Sequence, residues 1–309
     1  MKNKTLILIP YFEDIAITDL CNDLASQDLK NVSLIIVDDG SINIPFNKKH
    51  LEDNNLTGEV IYLKKNVGHQ MAIAIGINYI VENLTFDKLV IMDGDGEDKP
   101  SDISTLIDKL EQQDDLDIIV AERTSRHESF KFKIFYLIYK LLFSVLTGKK
   151  LIHGNFMIMR QRAVERLSHL SETRIHLAAS TLKSKLRIGN LPLARGKRYQ
   201  GKSKMNLVSL TLHGISSITV FSERVLARMT LFCAFSAAII LFFLLVLVAL
   251  KITGLTIIGW FSTISGILLL MLLQIGVMAL LVLLLAGNQR PSSSGQIRYM
   301  DFIKEVVNV

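Results

Sequence analysis

The stretch Leu89-Val90-Ile91-Met92-Asp93-Gly94-Asp95-Gly96-Glu97-Asp98-Lys99-Pro100 decides how the chain is read. An apolar run suited to a buried strand stops at two aspartates one residue apart, and a turn marked by Gly and Pro follows. In open α/β sheets ligands gather outside the carboxyl ends of the strands. Acids delivered there suit a hard, oxygen-ligated cation such as Mg²⁺ or Mn²⁺, held by one or two carboxylates and by substrate phosphates. Taken alone, Asp-x-Asp also fits a solvated turn.

Upstream, the same pattern repeats. Thr5–Ile9 and Val32–Val37 read as short buried strands around a helix at about 14–26, and the second strand ends in Asp38-Asp39-Gly40-Ser41. Val60–Leu63 is a third strand, followed by Asn66-Val67-Gly68-His69-Gln70 and a helix at about 71–82. Downstream, a helix over 102–112 and a strand over 117–121 precede Glu122-Arg123-Thr124-Ser125-Arg126. Strand-like composition returns over 152–159, then a helix over 163–170, and Leu191–Leu193 precedes a basic segment. Strands alternating with helices, each ending in a polar turn, predict a mostly parallel α/β sheet with one ligand cleft along its edge.

The chain has 309 residues, 50% of them hydrophobic, enough for one full domain and something more. The remainder lies at the C-terminal end, where runs at about 229–250 and 257–286 each reach the roughly 20 apolar residues needed to cross a bilayer as a helix. Arg224 and Arg228 precede this pair, Arg290, Arg298 and Lys304 follow it, and Lys251 lies in the short link. That distribution predicts a hairpin in the cytoplasmic membrane with both flanks in the cytoplasm. The start, Met1 to Pro10, has too short an apolar run and no small-residue cleavage site for a signal peptide, so it reads as the first strand.

Residues 130–147 are apolar on most sides but carry Lys131, Lys133 and Lys140, a composition that fits a helix in the membrane interface or a buried one. A basic block, Arg195-Gly196-Lys197-Arg198-Tyr199-Gln200-Gly201-Lys202-Ser203-Lys204, stands before a further apolar helix at 207–227. The expected plan is a catalytic domain over 1–206, a juxtamembrane helix over 207–227, two spans within 228–287 and a cytoplasmic tail over 288–309. Cys21 and Cys233 offer no disulfide framework and no metal-ligand spacing. The net charge of +6 is modest and, beside two spans, points to anionic headgroups or phosphorylated substrates and not to nucleic acid.

Four signals in order, Pro10-Tyr11-x-Glu13, Val37-Asp38-Asp39-Gly40-Ser41, Asn66-x-Gly68-His69-Gln70 and Asp93-x-Asp95 with Pro100 behind it, resemble the inverting family 2 glycosyltransferases of GT-A fold. Arg123-x-x-Arg126, Gly201-x-Ser203-Lys204 and the C-terminal hairpin make the chain similar to the polyprenyl-phosphate glycosyltransferases, the group of dolichol-phosphate mannose synthase and bactoprenol glucosyltransferase. The resemblance implies that Pro10, Tyr11, Glu13, Asp38 and Asp39 cradle the nucleoside of a nucleotide sugar, with Asn66, Gly68, Gln70, Asp93 and Gly94 completing the donor site. It implies Mg²⁺ or Mn²⁺ on Asp93, Asp95 and Glu97, and catalytic roles for Asp95, Arg123 and Arg126. The acceptor, a polyprenyl phosphate such as undecaprenyl phosphate, would meet Arg123, Arg126, Arg198, Lys202, Ser203 and Lys204. A homo-oligomer is a further expectation from the bacterial relatives.

Two departures stand out. Glu97 occupies a place where the family commonly has Gln, and Ile152-His153-Gly154-Asn155-Phe156 lacks both acids of a D-x-G-D-F segment. For a sugar-hydroxyl acceptor, losing a general base would cost about 10²–10⁴-fold. A phosphate acceptor, with a second pKa near 6, is already mostly dianionic at neutral pH and needs none. A transferase to another membrane glycolipid and a catalytically inactive nucleotide-sugar binder are the readings these departures leave open.

Overall fold

The computed structural model of the chain describes residues 4–123, 130–150, 154–200, 207–255, 257, 259–288 and 298–309. It divides into two compact units: one comprising residues 1–144, 149–220 and 297–309, the other residues 145–148 and 221–296.

In the first unit the strands are β1 (Thr5–Tyr11), β2 (Val32–Asp38), β3 (Gly58–Leu63), β4 (Lys88–Ile91), β5 (Ile118–Arg123), β6 (Met157–Arg160), β7 (Ile188–Leu193) and β8 (Ile303–Asn308). Between them lie α1 (Ile17–Ser26), α2 (Lys49–Glu52), α3 (His69–Asn83), α4 (Asp102–Glu111), α5 (Phe130–Thr147), α6 (Gln161–Ser168), α7 (Leu177–Lys183) and α8 (Leu207–Thr219). The strands form one sheet in the order β7-β5-β6-β4-β1-β2-β3-β8. β4, β1, β2 and β3 run parallel, as do β5 and β7, while β6 and β8 are antiparallel to their neighbours.

Both sheet faces are covered, as parallel strands without exposed faces require. In β1, Leu6 and Leu8 point into a core shared with Ile73, Ile77 and Ile80 of α3 and Val164 and Leu167 of α6. Ile7, Ile9 and Tyr11, one residue out of phase, enter a second core with Leu20 and Leu24 of α1 and Ile103 and Leu106 of α4. The period-two alternation of the strands thus feeds two apolar layers, and the loops at the carboxyl ends of β1 to β5 and β7 open along one edge.

The C-terminal tail carries a strand. β8 pairs antiparallel with β3, Val60 opposite Val307 and Ile61 opposite Val306, and covers an edge that would otherwise present unpaired backbone. Its short Ile-Lys-Glu-Val-Val-Asn sequence, isolated beyond the apolar hairpin, carries too few alternations to be read as a strand without its partner. The helix anticipated over 207–227 is likewise divided: α8 ends at Thr219 and a new helix starts at Ser222, with Phe221 in a non-helical conformation between them.

In the second unit α9 (Ser222–Ile252) and α10 (Trp260–Asn288) pack along each other. Each contains an 18-residue stretch with a mean hydropathy of 3.0 and is long and apolar enough to cross a membrane. Leu, Phe, Val and Ile side chains all around both helices are exposed. A helix apolar on every side suits lipid and not water.

Candidate active site

The three acidic tips anticipated from the sequence, Asp38, Asp39 and Asp93, meet at the carboxyl edge of β2, β1 and β4, because these strands are adjacent and parallel. Asp38 and Asp39 are 1% and 3% exposed, and both carboxylates accept from backbone amides. The amides of Ser41 (2.9 Å) and Phe46 (2.8 Å) donate to the two oxygens of Asp38. Those of Val67 (2.7 Å) and Gly68 (2.9 Å) donate to the two oxygens of Asp39. Burial pushes the Asp39 carboxyl up from its ordinary value, and the two amides pull it back in part.

The loop after β2 is tied from other directions. Tyr11 donates its hydroxyl to the Ile44 carbonyl (2.7 Å) and stands edge-on to Phe46 at 5.5 Å. Burial raises the Tyr11 pKa to about 12, so the hydroxyl keeps its proton. Glu13, at φ 42°, accepts from the amides of Ile42 (3.1 Å) and Asn43 (2.9 Å). Gly40, at φ 67°, abuts the 65–66 backbone so closely that a Cβ would lie 2.4 Å from the Lys65 carbonyl carbon. Tyr11, Glu13, Asp38 and Asp39 are thus hydrogen-bonded into one group of loops with the 65–68 loop as a second wall, and Pro10 precedes Tyr11 in β1. Asn66 and Gly68 belong to that wall. Gln70, one residue into α3, accepts from the Leu177 amide (2.6 Å), and its Nε2 is buried without a partner among the described residues.

The turn after β4 is built for its charges. The Asp93 amide donates to Asp98, which is 2% exposed (3.0 Å), and the Glu97 amide donates to Asp95 (3.0 Å). A strap, residues 195–199, follows β7 and lies on this turn: the Gly196 amide donates to the Glu97 carbonyl (2.9 Å) and the Tyr199 amide to the Asp95 carbonyl (3.0 Å). Gly96, at φ 86°, leaves room for the Tyr199 ring, which a Cβ there would meet at 2.5 Å. The Tyr199 hydroxyl donates to Asp23 of α1 (2.5 Å), and Gln200 donates to Asp19 (2.9 Å).

Backbone pairing sets the side-chain pairing. Arg198 reaches Asp95 at 2.8 Å and Glu97 at 3.4 Å, and Arg195 pairs with Glu97. Glu97, where the resemblance has Gln, therefore has its extra charge matched by Arg195, a residue the sequence reading left inside the basic block. Burial lowers the Arg195 pKa, opposed by Asp95 and Asp93.

Asp93 Oδ1 is buried without a hydrogen-bond partner among the described residues. His69 Nε2 lies 3.4 Å from it, within ion-pair reach but too long for a good hydrogen bond, and 3.0 Å from Asn155 Nδ2. His176 and His213 of α8 stack with ring centroids 4.3 Å apart. Burial, with a contribution from His69, lowers the His213 pKa, and Asp93 opposes this. His69 and His213 thus lie near Asp93, and Asn155 reaches it through His69; His69 was singled out as part of a loop signal and Asn155 as the place of a missing acid, while His213 carried no signal.

The donor set fits a hard cation in part. Asp93 offers an unpartnered buried oxygen, and Asp95 and Glu97 supply further carboxylates that two arginines now occupy. Among the described residues no group of three or more His, Cys, Asp or Glu stands arranged around one point. Of the anticipated acceptor residues, Arg198 is at the acidic turn, and β5 ends at Arg123 on the same sheet edge. Arg126, Lys202, Ser203, Lys204 and Ile152 lie outside the described residues.

Among solved structures, the chain is similar to glucosyl-3-phosphoglycerate synthase from Mycobacterium tuberculosis in complex with Mn²⁺, UDP and phosphoglyceric acid. The TM-score is 0.54 at 15% identity over 72% of this chain and 79% of that one. At that identity the likeness shows the fold, which is of GT-A type. The description of glycosyl transferase family 2 matches residues 5–168, more than half of the chain, and the chain belongs to that family. It is 26% identical over 287 residues to the uncharacterized glycosyltransferase YkcC of Bacillus subtilis (strain 168), covering 87% of this chain and 86% of the other. It is 28% identical over 181 residues to the dodecaprenyl-phosphate galacturonate synthase of Rhizobium johnstonii, covering 56% of this chain and 52% of that protein.

Proposed function

We propose that the protein is a membrane-bound transferase that moves a hexose from a nucleoside diphosphate sugar, a UDP-sugar in the first instance, to a polyprenyl phosphate, inverting the anomeric carbon. The observation that carries this reading is the meeting of the acidic turn at 93–97 with the cationic strap at 195–198 on the carboxyl edge of a GT-A sheet. The partial match to a dodecaprenyl-phosphate galacturonate synthase and the two long apolar helices support the acceptor class.

In this reading the cradle of Tyr11, Glu13, Asp38 and Asp39 receives the nucleoside, and the wall at 66–70 borders the donor. Asp93 and Asp95, with Glu97, would hold Mg²⁺ or Mn²⁺, which when bound supplies Lewis-acid stabilisation of the departing diphosphate. Arg198, which holds Asp95, is the residue nearest to exchange a carboxylate for a phosphate, and guanidinium forks match either partner. The attacking phosphate carries its own charge, so the loss of the acid at Asn155 removes no required proton acceptor. Two anions must instead be brought together, and Arg123, Arg126, Lys202 and Lys204 are placed by the sequence to offset that repulsion. Ser203 adds a hydroxyl donor to them.

The proposed orientation rests on the flanking charges. That the residues before α9 and the β8 tail after α10 belong to one compact unit supports an even number of crossings between them. Two spans with both flanks in the cytoplasm satisfy this and the distribution of Arg and Lys. The test is to incubate purified protein and undecaprenyl phosphate with a panel of radiolabelled nucleotide sugars, with and without Mn²⁺. A lipid product labile to mild acid is expected with one donor. An acid-stable glycoside would move the acceptor to a different class, and nucleotide binding without any product would make the chain a binder.

A further inference from the structure

At the opposite edge of the sheet, before the amino ends of β5 and β7, lies a depression of about 570 Å³. Asp117, Arg162, Glu165, Arg166, Lys185 and Arg187 line it. Four cations thus face two carboxylates, and both carboxylates are engaged. Asp117, whose side chain is 8% exposed, accepts from Arg162 Nε (2.5 Å) and from the Arg187 amide (2.8 Å), and Arg187 Nε lies at 3.6 Å. Glu165 accepts from Gln161 (2.8 Å). Arg166 and Lys185 have no ion-pair partner among the described residues.

Asp117 acts as a pivot. By accepting from Arg162 Nε and holding Arg187 Nε within ion-pair reach it gathers two guanidinium groups and leaves their Nη–H groups to donate elsewhere. Lys185 sits at φ 62°, a conformation that non-glycine residues rarely adopt, and that turn keeps it at the rim beside Arg187. The volume lies within the roughly 300–1,000 Å³ of small-molecule sites. Oriented guanidinium forks plus a free ammonium suit phosphate oxygens in particular.

We propose that this depression is a second anion site, separate from the acidic turn, that takes a soluble ligand carrying two or more linked phosphate groups. Its position argues for a soluble source over a lipid headgroup. α5 leaves from and returns to the carboxyl edge, between β5 and β6, and α8 follows the strap after β7, so these apolar helices connect at the other edge. Nothing in the proposed transfer places phosphate at the amino edge, so the site stands independently of that reading.

The test is calorimetric titration of the full-length protein in neutral detergent with sodium tripolyphosphate, in chelator and at about 0.15 M salt, where only close or multivalent contacts survive screening. Wild type should bind saturably, while Arg166→Gln/Lys185→Gln should bind at least about tenfold more weakly, with unchanged thermal unfolding. Equal binding by the double variant would overturn the assignment. So would no saturable heat in wild type. An oligoglutamate peptide that binds as tightly as tripolyphosphate would also overturn it, making the surface a site for acidic protein.

Discussion

Replacing Asp39 by Asn separates a loop clamp from a ligand-binding carboxylate. In the structure the two carboxylate oxygens of Asp39 accept from the amides of Val67 and Gly68, at 2.7 and 2.9 Å, in a site that is 3% exposed. Asn keeps one acceptor and turns its NH₂ toward the other amide, so one charge-assisted bond is lost and one N–H is left without a partner. Those losses are each about 1–3 kcal/mol, and relief of burying a charge offsets part of them, leaving roughly 2–4 kcal/mol. At ~2–4 °C per kcal/mol for a domain of this size, the apparent unfolding midpoint should fall by about 5–15 °C. Hydrogen exchange read by mass spectrometry on the peptide spanning residues 64–71 should show the same loss locally, as faster exchange at Val67 and Gly68. A variant with unchanged midpoint and unchanged exchange that nevertheless loses nucleotide affinity would refute the clamp, and Asp39 would then act directly on the ligand.

Gly96→Ala places a Cβ 2.5 Å from the Tyr199 ring at φ 86°, so the strap should lift at a cost of roughly 2–3 kcal/mol, seen as faster proteolysis within 195–204 and lower turnover. Arg198→Gln frees Asp95 from a 2.8 Å ion pair, so Mn²⁺ measured by electron paramagnetic resonance without donor should bind about tenfold more tightly while turnover falls. Burial opposes ionisation of Asp117, but the Arg187 amide and the Arg162 and Arg187 charges outweigh it and hold its pKa below the ordinary carboxylate value. Its stabilisation is therefore complete above the unfolded-state pKa, about 3.9, and is lost as pH falls through the lower folded value. Asp117→Asn should cost about 1–3 kcal/mol near pH 7 in chemical denaturation, and the difference from wild type should close in acid.

What could be read from the sequence was whatever lies close along the chain. Apolar runs ending in Asp38-Asp39 and in Asp93-Gly94-Asp95 marked the strand tips, and alternation with helices marked the parallel sheet that brings those tips together. Partners distant in sequence were not legible. That Asp39 holds Val67 and Gly68 depends on how the third strand's loop folds back, which no local pattern encodes. Arg195 looked like one charge among several in a basic block. Its pairing with Glu97 is selected by the backbone bonds of Gly196 and Tyr199 to the acidic turn. The spacing Arg195-x-x-Arg198 was the available signal, since it matches acids two apart on a turn docked beside it. β8 escaped notice because a single short strand reveals itself only through the β3 edge it covers.

The central claim is tested most directly by one comparison, wild type against Asp95→Asn. Both are reconstituted with undecaprenyl phosphate and Mn²⁺ and given the nucleotide sugar that labels lipid in the wild type. In the proposed mechanism Asp95 acts by holding the metal ion against the departing diphosphate, so removing its charge should lower formation of the acid-labile lipid product by about 10²–10³-fold, with the thermal midpoint nearly unchanged. Product formed at the wild-type rate by Asp95→Asn, or formed by the wild type at full rate in chelator, would contradict the account.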